Sequence, residues 1–118
     1  MNREIIFRFW DKYTERFYFL YLHECIGQGN RIINIKEGMI LQQYTGLKDK
    51  NGKEIYEGDI VRFRSSRDGL DELLQVVYNN KQTRFQLENK KYKWGFGESY
   101  YGSEEVIGNI FENEELLR

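Results

Sequence analysis

Proline is absent from these 118 residues, and so is alanine. No proline ring would interrupt a long helix, yet the best helix former is missing, so composition argues against a helical protein. Cysteine occurs once, at Cys25, and histidine once, at His23. A lone cysteine excludes an intramolecular disulfide and suits a reducing compartment. No run approaches the ~18 apolar residues of a membrane span. The opening Met1-Asn2-Arg3-Glu4 has no apolar stretch behind it, so no secretory signal is expected. A cytoplasmic protein that makes no membrane contact is the expectation. Neither sign of charge dominates, with 18 Lys+Arg against 19 Asp+Glu and a formal net charge of −1. The chain as a whole is therefore not steered toward a polyanion, although a local basic patch stays open.

What is abundant is aromatic. Tyr, Phe and Trp make up 16% of the chain, and such side chains bury large areas and favour sheets. The length suits one domain. Roughly two-thirds of the unfolded surface can be buried at this size, so a core needs no staple.

Period-two alternation predicts a strand from Glu4 to Trp10, and the aromatic run from Arg16 to Leu22 predicts another, the two forming a hairpin. His23 to Asn30, with Gly27 and Gly29, reads as a loop. Ile32, Ile33 and Ile35 suggest a short strand. Met39 to Tyr44 reads as extended, with a helical turn as the alternative. Asn51-Gly52 is the strongest turn signal and predicts a type I′ hairpin with positive φ at both residues. Glu57-Gly58-Asp59 predicts a second turn with Gly58 left-handed. Strands follow at Ile60–Arg64, Leu73–Tyr78 and Arg84–Glu88, the last with Phe85 and Leu87 inward. Lys90 to Ser103 mixes aromatics with glycines and is hard to read. Val106–Phe111 is a closing strand in which Gly108 marks a bulge or a close backbone approach. Asn113 is placed to cap a single helical turn at Glu114–Leu117.

Short strands at ~8–12-residue spacing predict a mainly β fold, α+β at most. We expect one compact domain over 1–118, with a hairpin-rich subdomain (1–54) packed on a small SH3-like barrel (55–118) and one or two short helical turns.

Several stretches carry a family resemblance. They are Arg8-Phe9-Trp10-Asp11, the long block from Gln43 to Val61, and Val106-Ile107-Gly108-Asn109-Ile110-Phe111-Glu112-Asn113. Together, and in this order, they resemble the YopX family of small phage and prophage proteins. The resemblance implies a strand-rich fold and self-association. It implies no chemistry, because the family supplies no catalytic residues to carry over.

The candidate sites are few. Glu54, Glu57 and Asp59 form the tightest acidic group. Their oxygens suit a divalent cation, but such a site wants more converging ligands, and Asp59 bonding backbone N–H groups in its turn is the plainer reading. His23 and Cys25 fall short of the four ligands of structural zinc. Their two-residue spacing also suits a nucleophile and its base poorly. Gly95-Phe96-Gly97 lacks the following helix of a phosphate cradle. Lys90, Lys91 and Lys93 alternate with Tyr92 and Trp94, the composition of a single-strand nucleic-acid surface. The alternative is a solvated charged hairpin whose Tyr92 and Trp94 pack inward, or a protein contact anchored by them. Arg62, Arg64 and Arg67 would extend the basic patch, opposed by Asp68, Asp71 and Glu72. No catalytic residue, metal, cofactor or small-molecule substrate is expected. The structural weight falls on Asn51, Gly52, Gly58 and Asp59. The expected function is a non-enzymatic protein-binding or self-associating module, with weak nucleic-acid binding through Lys90–Trp94 as the alternative.

Overall fold

The computed structural model of the chain describes residues 3–25, 37–96 and 104–117. It is mainly β, as the alternation requires. Strand β1 (Ile6–Asp11) pairs antiparallel with β2 (Arg16–Tyr21), from Ile6 opposite Tyr21 to Asp11 opposite Arg16. Asp11 makes the turn between them. Its Oδ1 accepts the Tyr13 N–H at 2.9 Å, and its carbonyl accepts the Glu15 N–H at 2.8 Å. Helical turn α1 (Leu22–Cys25) stands where a loop was expected. The strand expected at Ile32–Ile35 lies outside the described residues.

Strand β3 (Met39–Lys48) takes the other side of β1, so Met39–Tyr44 is extended and not a helical turn. Strand β4 (Glu54–Tyr56) adds to β3, giving a four-stranded sheet in the order β2-β1-β3-β4. The second sheet contains β5 (Asp59–Ser65), β6 (Leu70–Asn79), β7 (Arg84–Glu88), β8 (Lys93–Gly95) and β9 (Glu104–Asn109). Its order is β8-β7-β6-β5-β9, and every pairing in it is antiparallel. A 3₁₀ turn at Glu114–Leu117 follows.

The Asn51-Gly52 hairpin differs from its type I′ expectation. Gly52 has φ +82°, but Asn51 is not in the left-handed region. Gly52 N–H donates to the Asp49 carbonyl at 3.0 Å, and Asp49 N–H to the Lys53 carbonyl at 2.8 Å, which makes a three-residue loop ending in a left-handed glycine. The Asp49 carboxylate selects it, since Oδ1 accepts the N–H groups of Asn51 and Lys53 at 2.8 and 2.9 Å.

Gly58 is left-handed as expected, at φ +86°. An added Cβ there would collide with the Gln42 side-chain amide. In β9 the register slips, with Ile60 opposite Gly108 but Val61 opposite Val106. Ile107 is the extra residue of a bulge. Asn113 does not cap the last turn with its side chain. Its Oδ1 turns back and accepts the Asn109 N–H at 3.2 Å, over the space that a Cβ on Gly108 would fill.

Alternation on β4 divides the core. Ile55 packs with Val61, Phe63, Leu74, Val76, Leu87 and Val106 in the second sheet. Its neighbour Tyr56 points the other way, to Ile6 and Tyr44 of the first. Each fully buried aliphatic or Phe side chain contributes about 1.5–3 kcal/mol. The two sheets are thus tied through adjacent residues of one short strand.

Candidate functional site

A cleft opens where the two sheets meet, with a volume of about 310 Å³. Its floor is an ion pair. Arg8, from the middle of β1, places Nη2 2.8 Å from Asp59 Oδ1, and the two side chains are only 7% and 4% exposed. Asp59 opens β5 just after the Gly58 corner, and its Oδ2 accepts the Tyr56 N–H at 2.8 Å. The sequence reading of Asp59 as a turn-holding carboxylate is thus half the story, because the same side chain neutralises a buried arginine.

Arg8 is held from every side. Nε donates to Gln42 Oε1 at 2.8 Å, and Nη2 also donates to the Glu57 carbonyl at 3.1 Å. The guanidinium lies 4.4 Å from the Phe17 ring centre and 4.8 Å from that of Tyr56. Nη1 makes none of these bonds. No buried side-chain N or O of the described residues lacks a partner, so Nη1 keeps contact with solvent, and Arg8 lines the cleft. Burial lowers the guanidinium from its usual value against the pull of Asp59, but arginine starts so high that it stays charged. Burial likewise pushes the Asp59 carboxyl up, against Arg8 and the Tyr56 N–H. Burial also raises the Tyr56 hydroxyl, with Glu54 adding to it.

Around this floor stand Phe19, Lys53, Asn109 and Glu112. Phe19 is 50% exposed and meets the Tyr56 ring edge-on at 5.8 Å. Asn109 Nδ2 donates to Glu112 Oε1 at 2.9 Å, while Asn109 Oδ1 accepts the N–H groups of Phe111 and Glu112.

The acidic trio does not converge. Glu57 turns to the Gln43 N–H, 3.3 Å away, and Glu54 accepts the Tyr56 hydroxyl at 3.4 Å. Among the described residues no group of three His, Cys, Asp or Glu is placed to hold a metal. His23 lies against Tyr21, ring centres 6.0 Å apart.

The basic segment splits by face. Lys90, Lys91 and Lys93 are exposed. Tyr92 and Trp94 pack against the second core, with Trp94 edge-on to Phe63 at 5.1 Å and 4.7 Å from Tyr92. Asn89 sets this turn, its Oδ1 accepting the N–H groups of Lys91 and Tyr92 at 2.8 Å. Arg62 is held by Asp71 in a two-pronged pair at 2.9 and 2.7 Å.

Sequence reasoning missed Arg8 as the centre of a site, together with Phe17, Phe19, Gln42 and Asn109. The one available signal was a lone arginine at an inward position of an aromatic strand.

Another surface lies on the opposite face of the first sheet. The pairings place Tyr18, Phe9 and Leu41 in one cross-strand row, with Phe9 buried between its two neighbours. Tyr18 and Leu41 are 45% and 49% exposed. An antiparallel sheet with one wet face normally alternates polar residues outward, and this row does not.

The fold agrees with that of a solved structure, and the sequence with a family model. A family model described as YopX protein matches residues 8–118. The chain belongs to the YopX family. That match runs from Arg8 within β1 through the final 3₁₀ turn, so it includes both Arg8 and Asp59 of the cleft floor. Among solved structures, protein EF1440 from Enterococcus faecalis is similar, at 23% identity and a TM-score of 0.64. The alignment covers 97% of this chain and 98% of that one. At this identity the likeness shows a shared YopX-type fold and nothing of function. No curated protein matches the chain.

Proposed function

We propose that this YopX-family protein is a non-enzymatic module that binds protein, with a second copy of itself as the partner. The observation that carries the reading is the exposed pair Tyr18 and Leu41, which flank the buried Phe9 on the outer face of the first sheet. Exposed apolar surface of this kind marks interaction sites, and Tyr is enriched among the anchors of interfaces. Among the described residues, strand β2 is the end strand of its sheet, and it carries neither lysine nor proline to blunt pairing with another chain. Pairing of β2 with its copy would extend the sheet in its plane, and packing outer face on outer face across a two-fold axis would cover Tyr18 and Leu41 of both copies. The strand order β8-β7-β6-β5-β9 supports reading the second sheet as a small SH3-like barrel. A cytoplasmic role in a phage or prophage setting follows the family resemblance, and no helix of the described residues is long and apolar enough to cross a membrane.

Light scattering coupled to gel filtration tests this. The expected result is a dimer or larger assembly that shifts toward monomer in Tyr18→Lys and Leu41→Glu. A protein that is monomeric at all concentrations overturns self-association. The basic segment favours nucleic acid less, because the rings that would stack with bases are turned into the core.

A further inference from the structure

We infer that the cleft above the Arg8–Asp59 pair is a binding site for a planar, uncharged group carrying a hydrogen-bond acceptor, namely an aromatic residue of a protein partner together with its backbone carbonyl. The inference rests on the protein-binding reading and names a second contact for it.

Four observations lead there. Arg8 is more than nine-tenths buried and lines the cleft, yet its Nη1 makes none of the hydrogen bonds that hold Nε and Nη2. Two N–H donors in that position call for an acceptor oxygen. The charge is already spent, however. Arg8 and Lys53 face Glu54, Asp59 and Glu112 across the cleft, so the lining carries one more negative than positive charge. A phosphate or other polyanion would enter an unfavourable field, while a neutral carbonyl would not. The walls are flat and apolar, with Phe17, Tyr56 and a half-exposed Phe19, which suits a ring packing edge-on or offset. The volume of about 310 Å³ sits at the lower end of the ~300–1,000 Å³ of ligand pockets, enough for one anchor rather than a nucleotide.

The test uses the full chain labelled with ¹⁵N and three probes of graded chemistry: N-acetyl-phenylalaninamide, N-acetyl-alaninamide and phenyl phosphate. The capped phenylalanine is expected to move the Arg8 Nε–H signal and the amides of Phe19 and Asn109, with a dissociation constant on the order of 1 mM for so small a fragment. The alanine probe should do so at least several-fold more weakly, and phenyl phosphate should not bind. Phe19→Ala is half-exposed and leaves the ion pair intact, so it should fold and weaken the phenylalanine probe roughly three- to tenfold. Absence of any shift, or equal response to phenyl phosphate, overturns the inference. Self-association that persists while the cleft stays silent would remove this site and leave the outer-face reading standing.

Discussion

Arg8 and Asp59 meet at 2.8 Å across the junction of two sheets. A buried charge that loses its partner costs far more than the pair contributes, since its desolvation is then uncompensated. Asp59→Asn keeps the shape and removes the charge, and it should destabilise the protein by about 3–5 kcal/mol. Urea unfolding measures this. The double variant Arg8→Met/Asp59→Leu should lose less than the two single changes summed, because no orphaned charge remains. A cost below 1 kcal/mol for Asp59→Asn would show that the pair does not hold the sheets.

The two left-handed glycines should respond differently to the same change. Gly52 has φ +82° and open space around it, so Gly52→Ala carries only the conformational cost, about 1–2 kcal/mol. Gly58 has φ +86° and Gln42 against it. Gly58→Ala adds displacement of the side chain that holds Arg8 Nε, and it should cost clearly more. Thermal melts of the two variants side by side decide this, and equal costs would mean that Gln42 yields freely.

Asp49 predicts an acid limb to stability. Burial would raise its carboxyl, but N–H bonds from Val106, Lys53 and Asn51 outweigh that and hold it below the ordinary 3.8. Between the lowered folded value and the unfolded one, the unfolded chain binds more protons, so stability rises with pH there. The contribution is complete above about pH 4–5 and is lost as pH falls through the folded value. Asp49→Asn should flatten that limb of the stability curve. An unchanged slope would assign the acid response to other carboxylates.

The basic segment separates packing from charge. Trp94→Ala should destabilise by about 2 kcal/mol, less than the ~3–5 kcal/mol of a fully buried ring. Replacing Lys90, Lys91 and Lys93 by Gln should each change stability by no more than about 0.5 kcal/mol. Fluorescence anisotropy with single-stranded oligomers at low salt should show no binding by the parent. Binding that the three lysine changes abolish would restore the nucleic-acid reading.

Much of the backbone was legible from residues alone. Alternation located β1, β5 and β7, aromatic composition located β2, and Gly58 and Gly108 marked a corner and a bulge. Strand β6 begins at Leu70, not Leu73, because its extra residues are set by pairing with Arg64 and Ser65 and not by their own pattern. Asn51-Gly52 was read as a two-residue turn on local preference, and a side chain two positions earlier overrode it.

Alternation and turn chemistry, being properties of neighbouring residues, determined a strand-rich chain with its corners at Gly52 and Gly58. What the tertiary structure alone decided is where distant polar groups meet. Asp49 Oδ2 accepts the Val106 N–H at 2.8 Å from 57 positions away, and Arg8 on β1 finds Gln42 on β3 and Asp59 on β5. Such bonds depend on which segments collapse together, and no periodicity encodes that. The cleft is built from these meetings, which is why it became visible only in the folded chain.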